Sequence, residues 1–229
     1  MKKQKKLRWC VLTALIAAAD YSWALWYYGQ LYRNGTLLSV AQVTTETLPH
    51  ILLQNILVNV PEILAIAAVW MWMGQKHFSQ KMGLTIPVKK RFTLLAAAGL
   101  CLLALVLALW FSGVKPLAVG YQWVYYLLII ALTEELMFRG LLPYLMEKSG
   151  ASGLAIWVAP GILFACMHTL MPMVQNGFTV RRFMLCLLSV LGGYTAGHCV
   201  FYALRRWSGT LWLPILFHGL LDFSSVFSP

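Results

Sequence analysis

Two glutamates stand side by side in TEELMFRG, at Glu134 and Glu135, and an arginine, Arg139, lies four residues beyond the second. Downstream, FACMH carries Phe164 and His168, and HGLLD carries His218 and Asp222, each again four residues apart. On a helix such pairs share a face, while adjacent residues diverge by about 100°. Glu135 and Arg139 therefore form an acid-first pair able to neutralise one another. Glu134 points away from that pair, beside Phe138, and keeps the unpaired carboxylate that a general base needs. Phe164 and His168 set an aromatic wall and an imidazole into one space, and His218 with Asp222 adds a second imidazole and carboxyl. Around one water, these groups are an inventory for hydrolysis: a base to activate the water, donors to hold an oxyanion, and a dry surround that strengthens both. Glu134, His168 and His218 are also two imidazoles and a carboxylate that could ligate zinc, leaving a fourth position for water. No H-E-x-x-H is present and no second shell is evident, so the metal-free glutamate site is the favoured reading.

The elements that must position these residues are membrane helices. Of 229 residues, 60% are hydrophobic and 11% charged, and the mean hydropathy is +0.72, a balance that soluble domains rarely approach. Apolar runs of about 17 to 25 residues recur, the length a helix needs to cross a bilayer. The expected fold is all-α: one transmembrane domain over 1–229, with spans near 9–28, 50–73, 92–112, 119–146, 154–171, 183–203 and 210–227 enclosing a polar cavity. The basic residues, which bring the net charge to +11, sit in short clusters between apolar runs. They read as topology signals rather than as a nucleic-acid surface. MKKQKKLR and GQKHFSQKMGLTIPVKKR carry ten Lys or Arg between them and are expected in the cytoplasm with the N-terminus, and Arg205 and Arg206 agree. Arg181 and Arg182 would fall outside, either as a tolerated outer charge, the favoured account, or through a re-entrant segment at MPMVQNG. Ala17-Ala18-Ala19 after a basic start resembles a signal-peptide end, but the apolar run continues through YSWALWYY, which favours an uncleaved first helix. Cys10, Cys101, Cys166, Cys186 and Cys199 all fall in spans without C-x-x-C spacing, which suggests neither disulfides nor a thiolate site. Gly193 and Gly197, at small-x-x-x-small spacing, read as a helix contact.

An ionisable side chain at membrane depth is expensive unless it faces the protein interior. Beyond the three motifs, Asp20, Glu62 and His198 meet that description, with Asn55 and Asn59 as neutral companions. His198 lacks an acidic or histidine neighbour on its face and is read as a packing residue. Asp20 is isolated, and Asn55, Asn59 and Glu62 form a polar stripe beside a kink expected at Pro61, more suited to knitting helices together than to lining a cavity. Counting ~1.5 Å per residue from the span ends places Glu134 toward the cytoplasmic half, His168 toward the outer half, and His218 and Asp222 between. Tilt, or a kink at Pro143, must then bring them together.

In chain order, TEELMFRG, FACMH and GTLWLPILFHGLLD resemble the E-E-x-x-x-R, F-x-x-x-H and H-x-x-x-N/D motifs of the CPBP family, the CAAX proteases and bacteriocin-processing enzymes also called Abi. The resemblance covers about residues 117–227. It implies transmembrane helices around an intramembrane cavity and peptide-bond hydrolysis near the membrane surface, in a family some of whose members have been classed as metalloproteases. Glu134 takes the place of the water-activating base assisted by His168, His218 and Asp222 that of the oxyanion-stabilising pair, and Glu135 with Arg139 that of a structural support. Asp222 departs from the Asn of the prenyl-protein endopeptidases, since a carboxyl donates to an oxyanion only when protonated. The expected function is an intramembrane endopeptidase in a bacterial plasma membrane, acting on a membrane-associated or leader-bearing peptide such as a pheromone or bacteriocin precursor. Two other readings are a non-proteolytic bacteriocin-immunity or scaffold protein, and an ion- or proton-coupled transporter using Glu134 and His168 as a relay. Paired broken helices or inverted halves, which would favour a transporter, are not evident.

Overall fold

The computed structural model describes residues 2–39 and 42–227, and among these all regular structure is helical. In chain order the helices are α1 (Lys2–Arg33), α2 (Leu48–Val58), α3 (Val60–Met73), α4 (Gln75–Met82) and α5 (Arg91–Phe111). A long helix, α6 (Pro116–Ser149), follows, and then α7 (Gly153–Met167), α8 (Leu170–Asn176), α9 (Val180–Ser208) and α10 (Trp212–Phe223). Five segments are long and apolar enough to cross a membrane: Arg8–Arg33, Val88–Phe111, Pro116–Ser149, Gly153–Asn176 and Val180–Ser208. The bent pair α2–α3 makes a sixth candidate, and the shorter apolar Trp212–Phe227 completes the bundle. The protein is an integral membrane helix bundle.

The α2–α3 pair bends by 55° at Asn59. Pro61, in the first turn of α3, has no N–H to offer the carbonyl four residues back. That carbonyl, Leu57 O, instead accepts from the Trp23 indole of α1 at 2.8 Å. The kink expected at Pro61 is thus present and is satisfied by a neighbouring helix. Pro143 behaves differently. α6 runs on through it for 34 residues, with two π-helical stretches, Tyr125–Ala131 and, just before the proline, Glu135–Leu141, a wide-turn geometry that recurs at functional sites. Pro116 at its start and Gly150 in the left-handed conformation just past its end bound the helix.

The basic clusters share one end of the bundle. Gly83, at φ +77°, turns its carbonyl to accept from Leu211 N at 2.7 Å and Thr210 Oγ1 at 2.9 Å. Arg205 Nη2 donates to Lys81 O at 2.9 Å, Lys90 lies 3.4 Å over the Trp207 ring, and Trp9 of α1 packs on Trp72 at 5.2 Å. Arg182 has a local reason to stand at the other end: its Nη1 donates to the carbonyls of Asn176 and Gly177, at the C-terminus of α8. MPMVQNG itself continues the span Gly153–Asn176 rather than forming a re-entrant segment. Gly193 and Gly197 do not make the contact expected of them, since among the described residues nothing lies within 4 Å of a Cβ at either. The close approach of α7 to α9 is made by Gly161, where a Cβ would stand 3.1 Å from His198 Cβ.

Candidate active site

Glu135 and Arg139 are fully buried, with Glu135 Oε1 3.1 Å from Arg139 Nη1. The same Oε1 is 2.8 Å from His218 Nδ1. Arg139 Nε, Nη1 and Nη2 make no aligned hydrogen bond, so the pair with Glu135 is a charge contact; the guanidinium lies 4.3 Å over Phe164 and 5.4 Å from the Phe201 ring, where aromatic faces attract a cation. His218 turns its other nitrogen outward: Nε2 is 3.6 Å from Glu134 Oε2 and 3.4 Å from Asp222 Oδ2. Adjacent glutamates on one helix thus address the two nitrogens of one imidazole. Glu134 keeps apart from the Glu135–Arg139 pair and lines a cavity with Phe138, with His218 between the two glutamates.

His168 caps α7. Its Nδ1 is 2.8 Å from Phe164 O, and because a carbonyl only accepts, Nδ1 carries the proton and leaves the Nε2 lone pair free. The ring stacks on Tyr194 at 3.6 Å and meets Phe164 edge-on at 4.5 Å. Phe164 also touches Phe138 and His218 at 5.1 and 6.2 Å, so one phenyl ring underlies both imidazoles. Glu134, Phe138 and His168 line a cavity of about 140 Å³ together with Asp20, Asn59 and Glu62. The expected mismatch in depth does not arise. α6, at about 50 Å for its 34 residues, exceeds the bilayer core, and α7 ends at Met167 within the span Gly153–Asn176, which places its capping imidazole inside the bundle.

Five of the chain's seven acidic residues, Asp20, Glu62, Glu134, Glu135 and Asp222, gather here; Glu46 and Glu147 are the others. Asp20 was read as isolated and Glu62 as a packing residue, yet both face the cavity. Asn55 does knit helices, donating to Tyr121 Oη at 3.0 Å. His198 is packed as expected, fully buried with neither ring nitrogen hydrogen-bonded. Tyr194 and Phe201, which stacks on His218 at 5.3 Å, were not singled out in the sequence. The available signal was their seven-residue spacing on one face of α9 with His198 between them. As for zinc, no three His, Cys, Asp or Glu side chains among the described residues are disposed to hold a metal ion. The set Glu134, His168 and His218 does not fit a metal as arranged.

The fold and the site together describe a polytopic membrane helix bundle with a buried cluster of acids and imidazoles. Residues 116–224 match the family model Rce1-like, type II CAAX prenyl endopeptidase. The matched region is thus similar to the CAAX-protease (CPBP) family to which the motifs pointed, a family of proteases. The matched region contains Glu134, Glu135, Arg139, Phe164, His168, His218 and Asp222, and leaves Asp20 and Glu62 outside. Neither a curated protein nor a solved structure matches the chain.

Proposed function

We propose that the protein is a glutamate-type intramembrane endopeptidase that cleaves a membrane-associated or leader-bearing peptide, with residues 1–229 acting as one domain. The observation that carries this reading is that Glu134 and His168, from two helices, open onto one cavity while the neighbouring Glu135 is occupied by Arg139 and His218. Water in that cavity gives a proton to the Glu134 carboxylate, with the free Nε2 of His168 accepting the water's second hydrogen bond. The water oxygen attacks the peptide carbonyl carbon. With Nδ1–H committed to Glu135, His218 can donate from Nε2 only as the imidazolium, and that N–H, with the protonated carboxyl of Asp222 beside it, receives the developing oxyanion. The C–N bond then breaks, the proton on Glu134 passes to the leaving amine, and the products are a carboxylic acid and an amine.

A bacterial plasma-membrane setting and a peptide-pheromone or bacteriocin precursor as substrate belong to the same reading, as does an N-terminus inside, which the shared basic end of the bundle supports. The test is a comparison of membrane-associated peptides between cells carrying the wild type and a Glu134→Ala variant. Uncut precursors should accumulate in the variant. Identical peptide sets would remove the protease reading in favour of an immunity or scaffold role.

A further inference from the structure

Asp20 and Glu62 lie outside the family region, on α1 and α3, and nothing in the mechanism above uses them. They are 5% and 3% exposed, Glu62 Oε1 has no hydrogen-bond partner, and neither carboxylate has a cationic partner within 4.0 Å among the described residues. Both face the cavity that holds Glu134. Three carboxylates around one cavity repel one another and are costly to bury without compensation. A metal ion does not supply it, since no three of these donors are disposed to hold one. A larger cation on a flexible stem does not need donors to converge on a point.

A place for such a stem adjoins the cavity. A groove of about 280 Å³ runs along α1 and shares Asp20, Phe138 and Met167 with it. Its remaining wall is apolar, including Met137, Leu142 and Leu163, and it lies beneath Ala14 and Ala18, small and exposed residues of α1. An apolar channel that ends at two unpaired carboxylates matches a lysine side chain, whose methylene stem seeks apolar surface and whose ammonium seeks a partner.

We propose that Asp20 and Glu62 form an acidic subsite that receives the ammonium of a lysine in the peptide substrate, its aliphatic stem lying in the groove beside α1. This rests on the endopeptidase reading. The subsite shares its cavity with Glu134, so a bound ammonium also favours the charged form of Glu134, the form that takes the proton from water. Substrate selection and base activation are then one event.

The experiment begins with peptides that differ between wild type and Glu134→Ala cells, and continues with purified wild type and an Asp20→Asn/Glu62→Gln double variant. Each is assayed on a synthetic peptide spanning an identified cleavage site and on the same peptide with lysine replaced by norleucine, which keeps the stem and removes the charge. Wild type should cut the lysine peptide about tenfold faster or more, the scale of losing one partner of a buried charge pair, and the double variant should bring the ratio near one. Cleavage sites without a lysine within a few residues, or equal wild-type rates on the two peptides, overturn the subsite while leaving the endopeptidase intact. A lysine preference that survives in the double variant overturns it equally. If no peptide depends on Glu134 at all, the endopeptidase reading fails and the subsite falls with it. The norleucine comparison on wild type keeps the test valid even where the double variant folds poorly.

Discussion

His218 joins the two halves of the site, since one nitrogen holds the Glu135–Arg139 support and the other faces Glu134 and Asp222. Neighbouring glutamates should therefore fail in different ways. Glu134→Gln keeps the shape but cannot accept a proton, and should lower turnover by about 10²–10⁴-fold, with thermal unfolding in detergent unchanged. A fully active Glu134→Gln protein would remove it as the base. Asp222→Asn should keep measurable turnover, because an amide supplies N–H donors at any pH, whereas Asp222→Ala should be much slower; equal rates for the two would deprive Asp222 of any role at the oxyanion. At this scale the sequence was informative where chemistry follows spacing within one helix: Glu135–Arg139, Phe164–His168 and His218–Asp222 each meet as their spacing requires. It is silent where contact depends on which helices adjoin, which is why Tyr194 and Phe201 carry no signal of their own and why spacing alone gives Asp20 no partner and Glu62 only a packing role.

Helix packing sets the precision of the site. α10 presses against the first π-helical stretch of α6 at Gly219, where a Cβ would stand 2.5 Å from Leu127 Cδ1 and 3.0 Å from its Cα. Gly219→Ala must push the two helices apart, and it displaces His218, its neighbour, and Asp222, three residues on along the same helix. Activity should fall at least tenfold, with a lost stability of about 1–3 kcal/mol for overpacking, read by paired rate and unfolding measurements; a wild-type rate would mean that α10 does not fix the imidazole. Arg139→Ala should act through stability first, since removing one member of a buried pair costs about 3–5 kcal/mol. Normal abundance of that variant would show that the pair is not sealed from water. The spans were legible from hydropathy and the bend at Pro61 from proline's missing N–H. A single span through Pro143 was legible, but the wider turn that precedes the proline was not, because such accommodation depends on what packs around the helix.

On the scale of the whole molecule, charge is sorted by position. The start of α1, the Gly74–Lys90 connection and the Arg205–Trp212 turn meet at one end, which the positive-inside rule assigns to the cytoplasm. A cysteine replacing Lys76 should react with a membrane-impermeant maleimide only in inverted vesicles; labelling in intact cells would reverse the orientation. That the basic clusters belong together was legible from composition, since lysine and arginine gather wherever a loop is cytoplasmic. The convergence of acids from α1, α3, α6 and α10 was not, because it is made by tertiary contact alone. It also alters how the folded molecule looks from outside. With Arg139 and the five acids at the site set aside, seventeen basic residues face two acidic ones, so the formal charge outside the site is +15 against a total of +11. In neutral detergent the folded protein should be held on a cation-exchange resin more tightly than the same chain unfolded in urea. In a bilayer it should draw anionic phospholipids around its basic end and carry them through purification.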